Sequence, residues 1–124
     1  MDFTLSAKTI QYASKLQAFM DSEVFPAEAI YEKERHELIA SGKPHALPAV
    51  VEELKKKAKA LGLWNLFLPH STNPHHGLSV TEYATLAEIT GWSPEIAPEA
   101  INCAAPDTGN MELLEMFGTD EPKK

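Results

Sequence analysis

Between residues 6 and 24 the apolar side chains fall at Ile10, Ala13, Leu16, Met20 and Val24, in steps of three, three, four and four. Steps of that size line one face of an α-helix, whereas a strand would alternate every second residue. The same helical period returns in later segments, each bounded by glycine or proline. This repetition constrains the fold more than any other property of the sequence. Thr4 or Ser6 supplies a side-chain oxygen to cap the first helix. Phe25-Pro26 is expected to end it, because a residue before proline is pushed away from helical angles.

Pro26 suits the start of a second helix over 27–40. Its apolar face is thin (Ile30, Tyr31, Leu38 and Ile39), so this helix is expected to be largely solvated or packed only at its ends. The cluster Ser41-Gly42-Lys43-Pro44-His45 breaks the chain into a loop. A third helix, from Pro48 to about Leu61, carries Val50, Val51, Leu54, Ala58 and Leu61 as its stripe. Its lysines follow glutamates, and the spacing predicts Glu52–Lys56 and Glu53–Lys57 pairs on a solvated face. Gly62 is expected to terminate it in a left-handed conformation, with Leu63 folding back.

The run from Leu63 to Pro69 is the most apolar in the chain and reads as a buried extended or turn-like segment, followed by a polar loop up to Gly77. Ser79 and Glu82 form a capping box for a fourth helix with Tyr83, Leu86, Ala87 and Thr90 inward, and Gly91 stops it. Pro94 or Pro98 starts a fifth segment in which Ile101 and Ala105 share a face. Asp107 or Thr108 is expected to cap a sixth helix over 109–117, with Leu113, Leu114 and Phe117 inward and Gly118 at its end. The expected fold is therefore all-α: an up-and-down array of five or six helices in a single domain over residues 1–124. A chain of 124 residues can bury roughly 65% of the surface it exposes when unfolded, enough for a core without metal or disulfides.

The formal charge of -7 leaves no cationic face of the kind nucleic-acid binding requires, so nucleic acid is not an expected partner. Cys103 is the single cysteine, which excludes an intrachain disulfide and a cysteine-based zinc site. The first ten residues lack the pattern of a signal peptide, so secretion is not expected. No apolar stretch approaches the roughly 20 residues that span a bilayer.

Between the fifth and sixth segments, residues 102–111 crowd small, polar and turn-forming side chains together, and a functional surface is expected here. Individual chemistries fare poorly. His70, His75 and His76 share a loop without a helical pair or neighbouring carboxylate, and His36 and His45 stand apart, so no metal site is expected. Asp107-Thr108-Gly109 spells the aspartic-protease triplet but lacks the β-rich surroundings that motif needs. Cys103 reads as a half-buried structural thiol. Nothing in the spacing of Glu82, Glu88, Glu95 and Glu99 marks a general acid or base.

One resemblance goes further. Gly62-Leu63-Trp64-Asn65-Leu66-Phe67-Leu68-Pro69, then Gly77-Leu78-Ser79, Glu82-Tyr83-Ala84 and Ala87-Glu88-Ile89, and finally the block from Asn102 through Cys103-Ala104-Ala105-Pro106-Asp107-Thr108-Gly109-Asn110-Met111 to Glu112, occur in one order along the chain. Together they resemble the N-terminal helical domain of acyl-CoA dehydrogenases, and most closely the branch in which that enzyme is joined to a kinase-like domain in some animal proteins. The resemblance implies a larger enzyme with a β-barrel-like middle domain and a second helical bundle. Such an enzyme binds FAD, oxidises acyl-CoA to 2-enoyl-CoA with a glutamate as base, passes electrons to an electron-transfer flavoprotein, and forms a homo-oligomer. It would be cytoplasmic in a bacterium, and mitochondrial or peroxisomal in a eukaryote.

In the family, Phe117-Gly118-Thr119 leads into the middle domain, yet this chain closes at Lys124. The base and most flavin contacts belong to the later domains, so the resemblance assigns no catalytic, cofactor-binding or metal residue here. The chain alone is expected to be inactive and to hold no cofactor. What carries over is one wall of an acyl cleft, with Asn102, Ala104, Ala105, Pro106, Asp107 and Gly109 as the candidates nearest substrate. The small residues among them allow close backbone approach. The alternative is a freestanding helical protein-interaction module without catalytic activity.

Overall fold

A computed structural model describes residues 4–68 and 78–119. Its helices are α1 (Ala7–Phe19), α2 (Phe25–Ala40), α3 (Ala49–Ala60), α4 (Val80–Thr90), the single-turn α5 (Ala97–Ala100) and α6 (Asp107–Phe117), with a π-helical turn at Met20–Val24. The described residues contain no strand, as the helical period requires. The polar loop before Gly77 and the histidines within it lie outside the described residues.

Pro26 does not interrupt the first two helices. The π turn joins α1 to α2, and Phe25 keeps helical angles with its N–H bonded to the Met20 carbonyl five residues back. A π turn is wider than an α turn. It accommodates the proline ring, which would otherwise press on the carbonyl four residues earlier. Leu16, Met20, Val24, Ala27 and Tyr31 are all buried, so one apolar stripe runs through the proline. Ile10, assigned to this stripe by spacing, is exposed, and Phe19 is buried in its place.

The core joins this stripe to Val51, Leu54 and Ala58 of α3, Leu86 of α4, and Leu63, Leu66, Leu78, Ile96 and Ile101 from the connecting segments. α1 packs on α4, α2 on α3, and α3 on α5. Ile30 and Ile39 of α2 are exposed, so that helix packs mainly through its first turns. Gly62 has φ 71° and the Leu63 N–H reaches back to the Ala58 carbonyl at 2.9 Å, closing α3 as expected. The 63–68 segment runs through turns with Leu63, Leu66 and Leu68 buried.

The charge pairs of α3 differ from the predicted spacing. Glu52 meets Lys55 at 3.2 Å and Glu53 meets Lys56 at 2.7 Å, each three residues apart. Lys55 also reaches Glu99 of α5 at 2.6 Å, and its side chain is only 18% exposed. Lys57 pairs with Glu23 of the π turn, and Lys59 lies 4.1 Å from the centre of the Trp64 ring. The lysine-rich face thus ties α3 to its neighbours and is not merely solvated. Periodicity could not reveal this, because the partners are distant in sequence.

Glu82 joins two helix starts. One carboxylate oxygen accepts from the Ser79 N–H at 2.9 Å, completing the capping box of α4. The other accepts from the Ser6 hydroxyl at 2.7 Å, and Ser6 caps α1 by accepting from the Thr9 N–H. The Ser6 hydroxyl and then the Ser79 amide hold the Glu82 carboxyl below its ordinary value. Lowering the folded value means that the fold favours the ionised form. Its stabilising contribution is therefore present above the unfolded carboxylate value of about 4.3 and is lost as pH falls through the lower folded value. Glu82→Ala should cost about 1 kcal/mol at pH 7, because the Ser79 N–H and the Ser6 hydroxyl lose their acceptor while the Ser79 cap remains. In urea unfolding at pH 7 and pH 3, Glu82→Gln should lose less stability between the two than wild type does.

Four further expectations fail. Ala87 of α4 and Ala105 are exposed, while Ile89 and Ile101 face the core. α5 ends at Ala100, so Ile101 and Ala105 do not share a helix face. α6 begins at Asp107, with Pro106 at its cap position and no side-chain cap. It buries no residue, and Leu113, Leu114 and Phe117 are 59%, 39% and 75% exposed. Periodicity shows that residues share a face, not that anything covers it.

Candidate functional site

The turn between α5 and α6 is built on a hydrogen-bonded base. The Asn102 N–H donates to the Glu99 carbonyl at 3.2 Å and the Cys103 N–H to the Pro98 carbonyl at 2.8 Å. Asn102 has φ 60°, a left-handed conformation that asparagine adopts more readily than most residues. The Ala105–Pro106 peptide bond is cis. Beyond it the chain enters α6, where the Thr108 N–H points to the Ala104 carbonyl at 3.4 Å.

The six candidate residues lie together but are unequally accessible. Asn102, Ala104 and Asp107 are half-buried, whereas Ala105, Pro106 and Gly109 are exposed. A Cβ placed on Gly109 would meet nothing within 4 Å, so no described part of the chain closes over that point. The turn therefore presents small side chains on an open side, and α6 continues that side with its uncovered apolar residues.

Beneath the turn, Cys103 lies against Tyr83 of α4. Burial pushes the thiol up, and burial followed by the thiol's proximity pushes the Tyr83 hydroxyl up. Both are thus held in their neutral forms, and a thiol without thiolate character is a poor nucleophile. The Tyr83 ring meets Phe67 edge-on at 6.5 Å. Cys103 is half-buried, as expected.

The other chemistries stay apart. Asp107, Thr108 and Gly109 form the first turn of a helix, with none of the strand geometry a protease triplet needs. No group of three or more histidine, cysteine, aspartate or glutamate side chains could hold a metal among the described residues. His36 bonds to the Glu32 carbonyl at 2.8 Å on an exposed face. Among the described residues no helix is long and apolar enough to cross a membrane.

Clefts occur away from the turn. One of about 380 Å³ lies between α2 and the 93–96 turn, lined in part by Tyr31, Glu28 and Glu95. Burial and then Glu95 raise the Tyr31 hydroxyl. Another, of about 420 Å³, lies at the starts of α1 and α4 beside Ser6 and Glu82. Neither includes the 102–109 turn.

The turn also contacts a residue that spacing did not single out. Asn65 has φ 59°, and its side-chain oxygen accepts from the Asn102 amide. Its only sequence signal is a lone asparagine, tolerant of left-handed angles, within an apolar run.

No family model matches the chain. Sequence relatives do. A probable acyl-CoA dehydrogenase of Mycobacterium tuberculosis, FadE2, is 56% identical over 123 residues, covering 99% of this chain and 29% of the relative. Acyl-CoA dehydrogenase family member 10 of Mus musculus is 45% identical, covering 96% of this chain and 11% of the relative. A solved structure from Mycobacterium abscessus, described as a candidate acyl-CoA dehydrogenase, superposes with a TM-score of 0.78 at 40% identity. It matches 97% of this chain and 30% of its own length. The chain thus spans a third or less of the proteins it resembles.

Proposed function

We propose that the chain, which is similar to acyl-CoA dehydrogenases over nearly its whole length, is the N-terminal helical domain of an FAD-dependent enzyme of that family that oxidises acyl-CoA to 2-enoyl-CoA. In this reading the 102–109 turn forms one wall of the acyl cleft, with Asn102, Ala104, Ala105, Pro106, Asp107 and Gly109 nearest substrate. The observation that carries it is the open side of small residues running into the uncovered apolar face of α6. An apolar wall of this kind suits an acyl chain, which binds by losing contact with water.

The turn itself does not suit the flavin. Asp107 occupies the first turn of α6, where its charge opposes a pyrophosphate at the helix start. No lysine or arginine lies between residues 102 and 119 to offset it. In this reading, as the family resemblance implies, most flavin contacts and the base that removes the α-proton belong to polypeptide beyond this domain. What this chain supplies is shape and exclusion of water. Electrons leave through an electron-transfer flavoprotein, and the complete enzyme is a homo-oligomer.

The test is acyl-CoA-dependent reduction of an artificial electron acceptor by a complete protein that carries this domain. Absence of turnover across short, medium and long acyl-CoA substrates would overturn the reading. The 124-residue chain purified alone should be colourless and inactive, and a stoichiometric flavin spectrum from it would place the cofactor where this reading does not. The same apolar face of α6 also fits an interaction module without catalysis. That reading predicts a stable complex between this chain and a partner while the complete protein shows no turnover.

A further inference from the structure

Asn65 and Asn102 are the two non-glycine residues with positive φ among the described residues, at 59° and 60°. They stand 37 positions apart in sequence, and yet Asn65 bonds once to Asn102 and once to its neighbour Ile101. The Asn102 side-chain amide donates to the Asn65 side-chain oxygen, and the Asn65 backbone N–H donates to the Ile101 carbonyl at 3.1 Å. Leu63, Leu66 and Ile101, which flank the two asparagines, are buried, so this bracket is footed on the core. Left-handed angles in a residue other than glycine persist only where the surroundings impose them. Here they aim both side chains at one another.

No regular element spans residues 101–106. That stretch is held by the bracket on one side and by the Asn102–Glu99, Cys103–Pro98 and Thr108–Ala104 backbone bonds on the other. We infer that Asn65 is a positioning residue: it fixes the 102–109 turn at the cleft, and so governs how the acyl substrate is held without touching it. This rests on the cleft reading above. The Asn65–Asn102 bond does not.

Two substitutions separate the bond from the backbone requirement. Asn65→Gly keeps the freedom to adopt positive φ and removes the side-chain acceptor. Asn65→Asp keeps the acceptor oxygen and tolerates the same angles. In hydrogen exchange on the 124-residue chain, Asn65→Gly should speed the Asn102 and Cys103 amides by roughly tenfold while Leu63 and Ile101 stay within about twofold of wild type. Asn65→Asp should exchange like wild type. Unchanged rates at Asn102 and Cys103, or equal acceleration at Leu63 and Ile101, would overturn the bracket as a local device.

In the complete enzyme, Asn65→Gly should raise KM for acyl-CoA by roughly tenfold with kcat nearly constant, as expected when substrate positioning and not chemistry is impaired. Asn65→Asp should restore it. An unchanged KM would overturn the positioning role. A wild-type complete protein without dehydrogenase activity would instead overturn the function proposed above, and the exchange measurement, which needs no substrate, still decides the bracket.

Discussion

Phe19→Ala is expected to lower the unfolding free energy by about 3–5 kcal/mol, the cost of removing a fully buried aromatic and leaving a cavity. Phe19 is 1% exposed and sits where α1 passes into the π turn, beside the fully buried Met20. Stabilities of about 0.05–0.15 kcal/mol per residue imply roughly 6–18 kcal/mol for a domain of this length. The substitution thus removes a substantial share of the total. The urea midpoint should fall by more than about 1 M, given a slope of about 1–3 kcal/mol per M. Phe117→Ala is the internal control. The side chain is 75% exposed, and its removal from the 124-residue chain should change stability by no more than about 0.5 kcal/mol. Equal losses for the two variants would mean that α6 packs on this domain after all.

That pair also marks how far the sequence could be read. Leu16, Leu54, Leu86 and the Gly62 terminator follow from spacing and turn chemistry, because each is decided within one or two helical turns. The join at Pro26 does not, although its signal was present. Leu16, Met20, Val24, Ala27 and Tyr31 keep helical steps of four, four, three and four straight through the proline. The local preference of residues before proline opposes a longer-range stripe, and the burial of the stripe prevails. The π turn makes room for the proline ring while Phe25 keeps helical angles.

Other misses have a different cause. Lys55 pairs with Glu52 within α3 and also with Glu99, and only the packing of α3 on α5 supplies the second partner. Asn65 and Asn102 are each unremarkable in sequence, and their link appears only when residues 37 apart meet. The turn at 102–109 was legible as a place where small residues crowd, but its openness depends on what α6 leaves uncovered. The inward assignment of Leu113, Leu114 and Phe117 assumed that every apolar stripe finds its partner within the same domain.

The exposed stripe makes the second large prediction. Leu113→Asp with Phe117→Asp in the 124-residue chain removes apolar side chains already in water, at 59% and 75% exposure, and should leave its stability within about 1 kcal/mol of wild type. In the complete enzyme the same face is covered if it lines the acyl cleft or meets the rest of the polypeptide. Burying one such side chain contributes about 1.5–3 kcal/mol, and a buried carboxylate without a partner costs more. Acyl-CoA turnover should therefore fall by at least about 100-fold in kcat/KM, with the 124-residue chain still folded by circular dichroism. The way the loss divides identifies what covers the face. If the stripe touches the acyl chain, the penalty should grow with each added methylene of the substrate, by up to about 0.8 kcal/mol per buried group. If it meets polypeptide, short and long substrates should suffer alike and the complete protein should unfold at lower temperature. Retention of full activity on all chain lengths would show that the stripe is uncovered in the working enzyme, and would remove the principal observation on which the cleft reading rests.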